Sequence, residues 1–510
     1  MPRQAAAVPS VLTIPTLGTI GHPSDWRISD PSHVSVIRTN GQAAYVEVAI
    51  SPSSGRSTED AEVDLPLEKI AGSILEVSVE ARVKGVTKPD QPYNGVKAML
   101  HVTSTNRSDS WDQADANGDT FPVTYDWKQL SFRTPIPRTV THATLVLGLQ
   151  GSTGTADFRN VSIKIVRQAP IPYAHTAKRP VYTGHSLGAL RGVMISPDIT
   201  PTDIDTLKQW NVNLVRWQLT WGGFPQSKAD TADQADYDVW LNSCLQHLDD
   251  MLPYFKKAHI LVVLDLHTPP GGSDAGHVDR VFTDALWQKH FIDCWRKMAT
   301  KYRGEKQVWG YDLFNEPIAG NVPESLLDWH DLAEKTALMV RRIDSAHAII
   351  IEPDPGGSPD ALPYFEPLKV PGVVYSVHMY EPHQFTHQGV FAEFPIGPAY
   401  PGVIAGEQWN KDRIRQYLQP VADYAAEFHV SIYIGEFSAI RWAKGADKYL
   451  ADVIDVCESN GWDWSYHAFR EWQGWSAEVG DDKDISTPSK QPTDRLRVLL
   501  SAFAKNSGKV

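Results

Sequence analysis

Residues 308–317 read VWGYDLFNEP, and residues 431–437 read SIYIGEF. Each stretch is an apolar run that ends on polar residues, which are Asn315 and Glu316 in the first and Glu436 in the second. A run that is apolar on both faces is typical of a strand in a parallel sheet covered by helices. The two segments therefore predict buried parallel strands that end in carboxylates.

Six further apolar runs accompany these two between residues 189 and 469, and stretches with the 3.6-residue period of an amphipathic helix separate them. Eight such repeats predict an α/β fold, a closed (β/α)8 TIM barrel over residues 185–505. An open doubly wound sheet is the alternative, but it would more often carry a glycine-rich phosphate turn, which the chain lacks. The six runs are ALRGVMIS (189–196), NLVRWQL (213–219), HILVVLDLH (259–267), AIIIEP (348–353), VVYSVHMY (373–380) and WDWSYHAF (462–469).

Residues 12–166 show a different pattern, in which short segments of alternating apolar and polar residues are separated by turn residues. This pattern predicts a β-sandwich. Residues 126–166 resemble the second half of a jelly-roll carbohydrate-binding module, although a purely structural domain is an equally open interpretation. The prolines of residues 167–184 predict a linker between the two domains. Aromatic candidates for sugar contact in the sandwich are Trp26, Tyr93, Trp111 and Trp127.

Composition narrows the class of partner. The formal net charge of -13 disfavours nucleic acid and anionic membranes, so a neutral substrate fits better. The three cysteines form no Cys-x-x-Cys pair, and Asp112–Asp119 lacks the terminal Glu of a calcium loop, so we expect no metal and no cofactor. The chain has no run of about 18 apolar residues, so the sequence predicts no membrane-spanning helix.

The first 20 residues are broken by Pro9, Pro15 and Gly18, so they lack the continuous apolar segment of a secretory signal. This pattern is expected either of a cytoplasmic protein or of one whose leader has been removed. No motif in the sequence indicates an oligomeric state, and we expect a monomer.

Polar residues stand where the predicted barrel strands end, which is where barrel enzymes carry their catalytic groups. Glu316 and Glu436 end strands four and seven, so they should face each other across the barrel mouth. Glycoside cleavage requires such a pair, because one carboxyl protonates the leaving oxygen while the other stabilises or attacks the oxocarbenium-like centre. Either Glu alone could be an ordinary ion-pair partner. The other strand ends carry Arg216, Asp265, His267, Asn315, His378 and Tyr380.

The segments DLFNEP and YIGEF, with VRW, DLH and VHMY in matching order, resemble glycoside hydrolase family 5, cellulase-like barrels with catalytic Glu on strands four and seven. The resemblance covers about residues 185–505. It implies that Glu316 is the acid/base and Glu436 the nucleophile. It also implies that Asn315 binds the substrate 2-hydroxyl, that Arg216 and Tyr380 hold the nucleophile ionised, and that His267 and His378 line the cleft.

Strand eight departs from the family pattern. Many members carry a sugar-stacking Trp there, whereas this chain places His467 at that position. Trp472 and Trp475, just beyond it, are candidates to replace the missing platform. Trp221, Trp409 and Trp442 lie in predicted loops, where aromatic faces could also stack on sugar rings.

The function predicted from these residues is retaining hydrolysis of a β-linked polysaccharide or oligosaccharide, with an endo-β-1,4-glucanase-like activity favoured. A β-mannanase, an exo-acting β-glucosidase and a transglycosylase use the same site and stay open. A catalytically silent polysaccharide-binding protein is the rival from a different class. Such substrates imply a secreted or cell-envelope location.

Overall fold

A computed structural model divides the chain into two compact units, Met1–Ile171 and Pro172–Val510. The structure describes residues 10–15, 17, 25–39, 42–89, 91, 93–104, 110–117, 120–137, 140–167, 188–220, 233–274, 277–320, 322–323 and 325–506. The predicted linker at 167–184 therefore lies outside the described residues, apart from Arg167 in the last strand of the first unit.

The first unit is a β-sandwich of two antiparallel sheets, as its alternating pattern predicts. One sheet has the order β3-β4-β11-β6-β9 with β1 paired to β11, and the other has the order β2-β5-β10-β7-β8. A one-turn helix spans Leu67–Ile70. The strands are β1 (Ser10–Val11), β2 (Arg27–Ile28), β3 (Val34–Thr39), β4 (Gln42–Ile50), β5 (Glu59–Asp64), β6 (Ile74–Val86), β7 (Gly95–Ser104), β8 (Ser110–Gln113), β9 (Val123–Pro135), β10 (Val140–Gln150) and β11 (Gly154–Arg167).

The core of the sandwich follows the period of two expected of half-buried strands. In β6, Leu75, Val77 and Val79 are buried, while the residues between them are partly exposed. Trp26 also lies in this core at 2% exposure and donates its indole N–H to the Pro15 carbonyl. Its prediction as a sugar-contacting aromatic is wrong, because packing between the sheets covers the ring.

The second unit is the predicted barrel, with eight parallel strands closed by pairing of the last strand to the first. A small hairpin, β18 (Gly402–Ile404) and β19 (Glu407–Trp409), is inserted after the sixth barrel strand. The barrel strands are β12 (Arg191–Ile195), β13 (Leu214–Gln218), β14 (Leu261–Asp265), β15 (Val308–Asp312), β16 (Ala348–Ile351), β17 (Val373–Met379), β20 (Ser431–Phe437) and β21 (Asp463–Phe469).

Helices surround the barrel in the order that the periodicity predicts. Several begin at a side chain that accepts a backbone N–H, among them Thr200, Asp328 and Asn410, which satisfies a donor that the first helical turn leaves free. Among the residues that the structure describes, none of the helices is long and apolar enough to cross a membrane. The α-helices are Pro201–Gln209, Gln234–Ala258, Ala285–Tyr302, Trp329–Ile343, His383–Thr386, Lys411–Phe428, Ala446–Ser459 and Asp494–Phe503, and short 3-10 turns span Arg280–Phe282 and Leu362–Tyr364.

Two apolar layers explain why the barrel strands are apolar on both faces. Side chains such as Leu214, Trp309 and Tyr433 fill the barrel interior, while a larger core lies between the strands and the helices. Trp409 belongs to that larger core at 5% exposure, so its predicted place on an open loop is wrong. The filled interior leaves the polar strand ends as the place for chemistry.

Candidate active site

The carboxyl ends of the barrel strands bring the predicted polar residues together. Glu316, His378 and Glu436 form a tight group, in which one ligand atom from each side chain lies within 4.8 Å of the others. His378 Nδ1 is 2.6 Å from Glu316 Oε1, so the imidazole connects strand six with the residue that ends strand four. The predicted pair of facing carboxylates is therefore present in the structure.

Glycine makes room for this group on strand seven. A Cβ at Gly435 would lie 2.6 Å from Ser376 Oγ and 2.9 Å from His378 Nε2, closer than van der Waals contact permits. Any larger residue before Glu436 would displace His378. The Gly-Glu sequence of strand seven is thus part of the site and not only of the sheet.

Glu436 is surrounded by donors and cations. Arg216 Nη1 donates to its Oε1 over 2.6 Å, and the Tyr380 hydroxyl donates to its Oε2 over 2.7 Å. Burial favours the neutral acid, but the charges of His378, His467 and Arg216 outweigh it and hold the pKa of Glu436 well below its usual range. Glu436 is therefore ionised at neutral pH.

Arg216 is fully buried and pairs with more than Glu436. Its Nε donates to Asp312 Oδ2 over 2.9 Å, and its Nη2 lies 3.1 Å from Asp265 Oδ1. One guanidinium cannot neutralise this many buried acids, so burial, together with the charges of Glu352 and Asp265, raises the pKa of Asp312 well above its usual range. Asp312 is thus favoured in its protonated form.

Glu352, on the turn after strand five, is a central residue of the site that the sequence interpretation missed. It is fully buried, and its Oε1 accepts from Arg216 Nη2 over 2.9 Å and lies 3.1 Å from His378 Nε2. Its Oε2 accepts the backbone N–H of Glu316 over 2.8 Å. A signal was available, because Glu352 ends the run AIIIEP in the same way that Glu436 ends SIYIGEF.

Asp265 and Arg216 hold His267 and Asn315 in place. His267 Nδ1 is 2.8 Å from Asp265 Oδ2, and Asn315 Oδ1 accepts from Arg216 Nη2 over 3.0 Å. Burial opposes charge on His267, but Asp265 beside it raises the pKa of the imidazole. The two residues are therefore oriented by buried partners before any ligand binds.

The sequence comparison decides the family. The family model described as "Cellulase (glycosyl hydrolase family 5)" matches residues 177–473, which is more than half of the chain. The chain belongs to glycosyl hydrolase family 5. It is an O-glycosyl hydrolase, and its closed barrel agrees with the fold that the sequence resemblance implies.

The chain is also similar to individual known proteins. Endoglucanase C of Acetivibrio thermocellus is 27% identical over 298 residues, which cover 52% of this chain and 84% of that protein. A β-xylosidase of Phanerodontia chrysosporium is 24% identical over 268 residues, half of each protein. The solved structure of endoglucanase Cel5A of Thermotoga maritima is 23% identical and matches with a TM-score of 0.47, over 61% of this chain and 96% of that one.

Strand eight places His467 in the site. His467 lies beside Glu436 with its Nδ1 3.3 Å from Oε2, and its Nε2 is 2.7 Å from Glu471 Oε2. Glu471 was not among the predicted site residues, because it stands two positions beyond the end of strand eight. The end of strand eight thus adds an imidazole and a carboxylate to the site.

Two tryptophans line this side of the site. Trp475 is 8% exposed, and its ring centroid is 5.7 Å from that of His467. Trp472 is 39% exposed and packs edge-on against both Trp475 and Trp442. Trp475 therefore packs against His467, and Trp472 is the more exposed of the two rings. Trp221 lies outside the described residues.

Three groups of side chains among the described residues are close enough to hold a metal ion. In the active site, the atoms of Glu316, His378 and Glu436 are already used in the hydrogen bonds described above. The other two groups are Asp238, His290 and Cys294 in the second unit, and Asp30, His33 and Glu59 in the first.

Proposed function

We propose that this family 5 enzyme is a retaining endo-β-1,4-glucanase in which Glu316 is the acid/base and Glu436 the nucleophile. The observation that carries the proposal is the approach of a Glu316 carboxylate oxygen to within 4.8 Å of one of Glu436. Retaining glycosidases place their carboxyl groups about 5 to 5.5 Å apart, whereas inverting enzymes need roughly 6.5 to 9.5 Å to admit a water. The spacing supports direct attack by Glu436.

In the first half-reaction, a Glu436 oxygen bonds to the anomeric carbon while the bond from that carbon to the leaving oxygen breaks. Glu316 donates its proton to the leaving oxygen. Arg216 and Tyr380 keep Glu436 ionised and aimed before the attack. The product is a glycosyl ester on Glu436 and a released chain.

In the second half-reaction, Glu316 removes a proton from water, whose oxygen bonds to the anomeric carbon. The ester bond to Glu436 breaks, and its electron pair returns to the carboxylate. Two displacements restore the β configuration. Asn315, fixed by Arg216, is placed to bind the 2-hydroxyl beside the reacting carbon.

The relatives' names bear on the type of cleavage. The match to endoglucanase C covers 84% of that protein, whereas the match to the β-xylosidase covers half of it. The broader coverage supports internal cleavage of a β-1,4-glucan over removal of terminal sugars. Exo-acting β-glucosidase and β-mannanase activities become outcomes of the test.

A panel of soluble polysaccharides decides between these activities. Reducing ends and viscosity are followed together on carboxymethylcellulose, barley β-glucan, mannan and xyloglucan. An endoglucanase lowers the viscosity of the glucans long before many reducing ends appear. Release of reducing ends without loss of viscosity would indicate exo action, and a preference for mannan would indicate a mannanase. Binding without any cleavage would indicate a silent polysaccharide-binding protein.

We also propose that the sandwich binds glycan on the sheet that contains β7 and β8. Trp111 is 54% exposed, and His101 on the neighbouring strand stacks on one face of its indole at 3.5 Å and 4°. This stacking fixes the ring and leaves its other face free for a sugar. Tyr93 is 63% exposed, and its backbone carbonyl accepts from Gln113 Nε2 over 3.1 Å.

Affinity electrophoresis of the full-length protein tests this second role. Trp111→Ala should migrate faster than the wild type through a gel that contains β-glucan, with unchanged activity on soluble oligosaccharide. Tyr254→Ala removes a similarly exposed ring from a barrel helix and serves as the control. Equal retardation of Trp111→Ala and the wild type would support a purely structural sandwich.

A further inference from the structure

The end of strand eight places an imidazole in contact with the nucleophile and its tyrosine. His467 Nδ1 lies 3.3 Å from Glu436 Oε2 and in hydrogen-bond contact with the Tyr380 hydroxyl. The other ring nitrogen, Nε2, lies 2.7 Å from Glu471 Oε2. The side chain of His467 is 13% exposed, so water does not screen these contacts strongly.

Counting protons shows the charge state that satisfies all of these contacts. Tyr380 has one hydroxyl proton, which it donates to Glu436 Oε2 over 2.7 Å. The contact between Tyr380 and His467 therefore needs a proton on Nδ1. The contact with Glu471 needs a second proton on Nε2, since an ionised carboxylate only accepts. A ring with both protons is an imidazolium cation.

The electrostatics of the three partners agree with this count. Burial opposes charge on His467, but Glu436 and Glu471 outweigh it and raise the pKa of the imidazole. Burial also disfavours the Glu471 carboxylate, yet His467 lowers its pKa. Burial and the charge of Glu436 raise the pKa of Tyr380 well above its usual range, so the hydroxyl keeps its proton.

We propose that His467, kept protonated by Glu471, is a positioning residue that assists the departure of Glu436 from the glycosyl-enzyme. This inference rests on the proposed retaining mechanism and assigns a separate step within it. Arg216 donates a hydrogen bond to Oε1 of Glu436, and His467 places a second cation near Oε2. An indole at this position would offer one N–H and no charge.

The chemical consequence differs between the two half-reactions. A cation beside Glu436 stabilises the free carboxylate, which slightly weakens its attack on the anomeric carbon. In the second half-reaction the bond from that carbon to Glu436 breaks and the electron pair returns to the carboxylate. The same cation stabilises this leaving group. Loss of the charge should therefore slow deglycosylation much more than glycosylation.

Kinetics with 2,4-dinitrophenyl β-cellobioside separate the two steps in the full-length enzyme. The leaving group is so good that glycosylation is fast and kcat reports deglycosylation, while kcat/KM reports glycosylation. Glu471→Gln removes the charge but keeps an acceptor for Nε2. We expect kcat to fall about tenfold or more, because a loss of that size follows when one charge-assisted interaction is removed. We expect kcat/KM to change less than about threefold.

A coupled variant shows whether Glu471 acts through His467. His467→Asn places a neutral amide beside Tyr380, and it should give the same selective loss of kcat. The double variant His467→Asn with Glu471→Gln should lose no more than either single variant, because the two residues form one unit. Glu478→Gln is the control, since Glu478 pairs with Arg470 over 2.8 Å in the same segment and should leave both constants unchanged.

The outcomes distinguish this inference from the function on which it rests. Parallel losses of kcat and kcat/KM in Glu471→Gln, additive losses in the double variant, or wild-type kinetics would each overturn the role of His467 while the retaining mechanism stands. A wild-type enzyme that releases dinitrophenolate without forming a glycosyl-enzyme would overturn both. Selective loss of kcat with an accumulated glycosyl-enzyme would confirm the inference.

Discussion

Glu352 Oε2 accepts the backbone N–H of Glu316 over 2.8 Å, so the turn after strand five fixes the residue that ends strand four. Glu316 has a φ of 45°, a left-handed conformation that few residues other than glycine adopt. Such strained backbones persist at functional sites when the surroundings hold them. Glu352 supplies that support, and its Oε1 also binds Arg216 over 2.9 Å.

Glu352→Gln should lower kcat about 100-fold while the barrel stays folded. The amide can accept from Arg216 or from the N–H of Glu316 but not from both, so the acid/base carboxyl loses its position, and an error of about 1 Å in a reacting group reduces rates by this order. Steady-state kinetics on β-glucan and thermal unfolding are measured together. Glu366→Gln, which removes a surface charge near Lys369, should match the wild type. Full activity in Glu352→Gln would contradict the positioning role.

Glu316→Ala should show a loss that depends on the leaving group. Polysaccharide cleavage needs a proton on the leaving oxygen and should fall by roughly 10²–10⁴-fold, the usual contribution of general acid catalysis. A dinitrophenyl glycoside needs no proton, so the burst of dinitrophenolate should persist. Equal losses on both substrates would identify a different acid.

Much of the barrel could be predicted from the sequence because strand ends and apolar runs are local features. The runs VWGYDLFNEP and SIYIGEF predicted both the fold and the facing carboxylates. Strand β5, EDAEVD, is acidic and so gives only a weak strand signal in the sequence; its Glu59 is buried in the sandwich and accepts from Ser29 Oγ over 2.5 Å. Burial of Trp26 and Trp409 was missed because it depends on packing between distant segments.

The site was predictable where a residue stands at a strand end and missed where its role depends on a partner. Glu352 follows a predicted strand, yet only the distances to Glu316 and Arg216 reveal what it does. Glu471 lies beyond strand eight and reaches His467 through the turn. Arg216 was predicted as the partner of Glu436, but its contacts with Asp265 and Asp312 need the closed barrel.

His387 should make the protein less stable in acid. Burial and the charges of His383 and His467 lower its pKa to about 4, from 6.5 in the unfolded chain. A depressed pKa means that the stability is fully present above pH 6.5 and is lost as the pH falls towards 4. The Tm of His387→Gln should therefore fall less than the wild-type Tm as the pH is lowered from 7 to about 4.5.

The control for this prediction is His259→Asn. His259 is exposed at a helix end with a φ of 61°, which asparagine tolerates. The Tm of His259→Asn should therefore change with pH as the wild-type Tm does. A His387→Gln profile that runs parallel to the wild type would show that His387 does not resist protonation in the fold.

Glu436→Ala should abolish turnover with little loss of fold, because the side chain is needed for the covalent step and its removal leaves Arg216 with other acids. Azide added to the variant should restore cleavage of a dinitrophenyl β-glycoside and give the α-glycosyl azide. Proton NMR of the azide product reads the configuration directly. A β-azide, or rescue without azide, would argue against Glu436 as the nucleophile.

The most direct test of the account is mass spectrometry of the enzyme trapped with a 2,4-dinitrophenyl 2-deoxy-2-fluoro-β-cellobioside. The fluorine slows the second displacement, so a retaining enzyme accumulates its glycosyl ester. We predict that one label per chain is found after peptic digestion and that fragmentation places it on Glu436. A label on any other residue, or an unlabelled enzyme that hydrolyses the reagent to the α product, would contradict the mechanism.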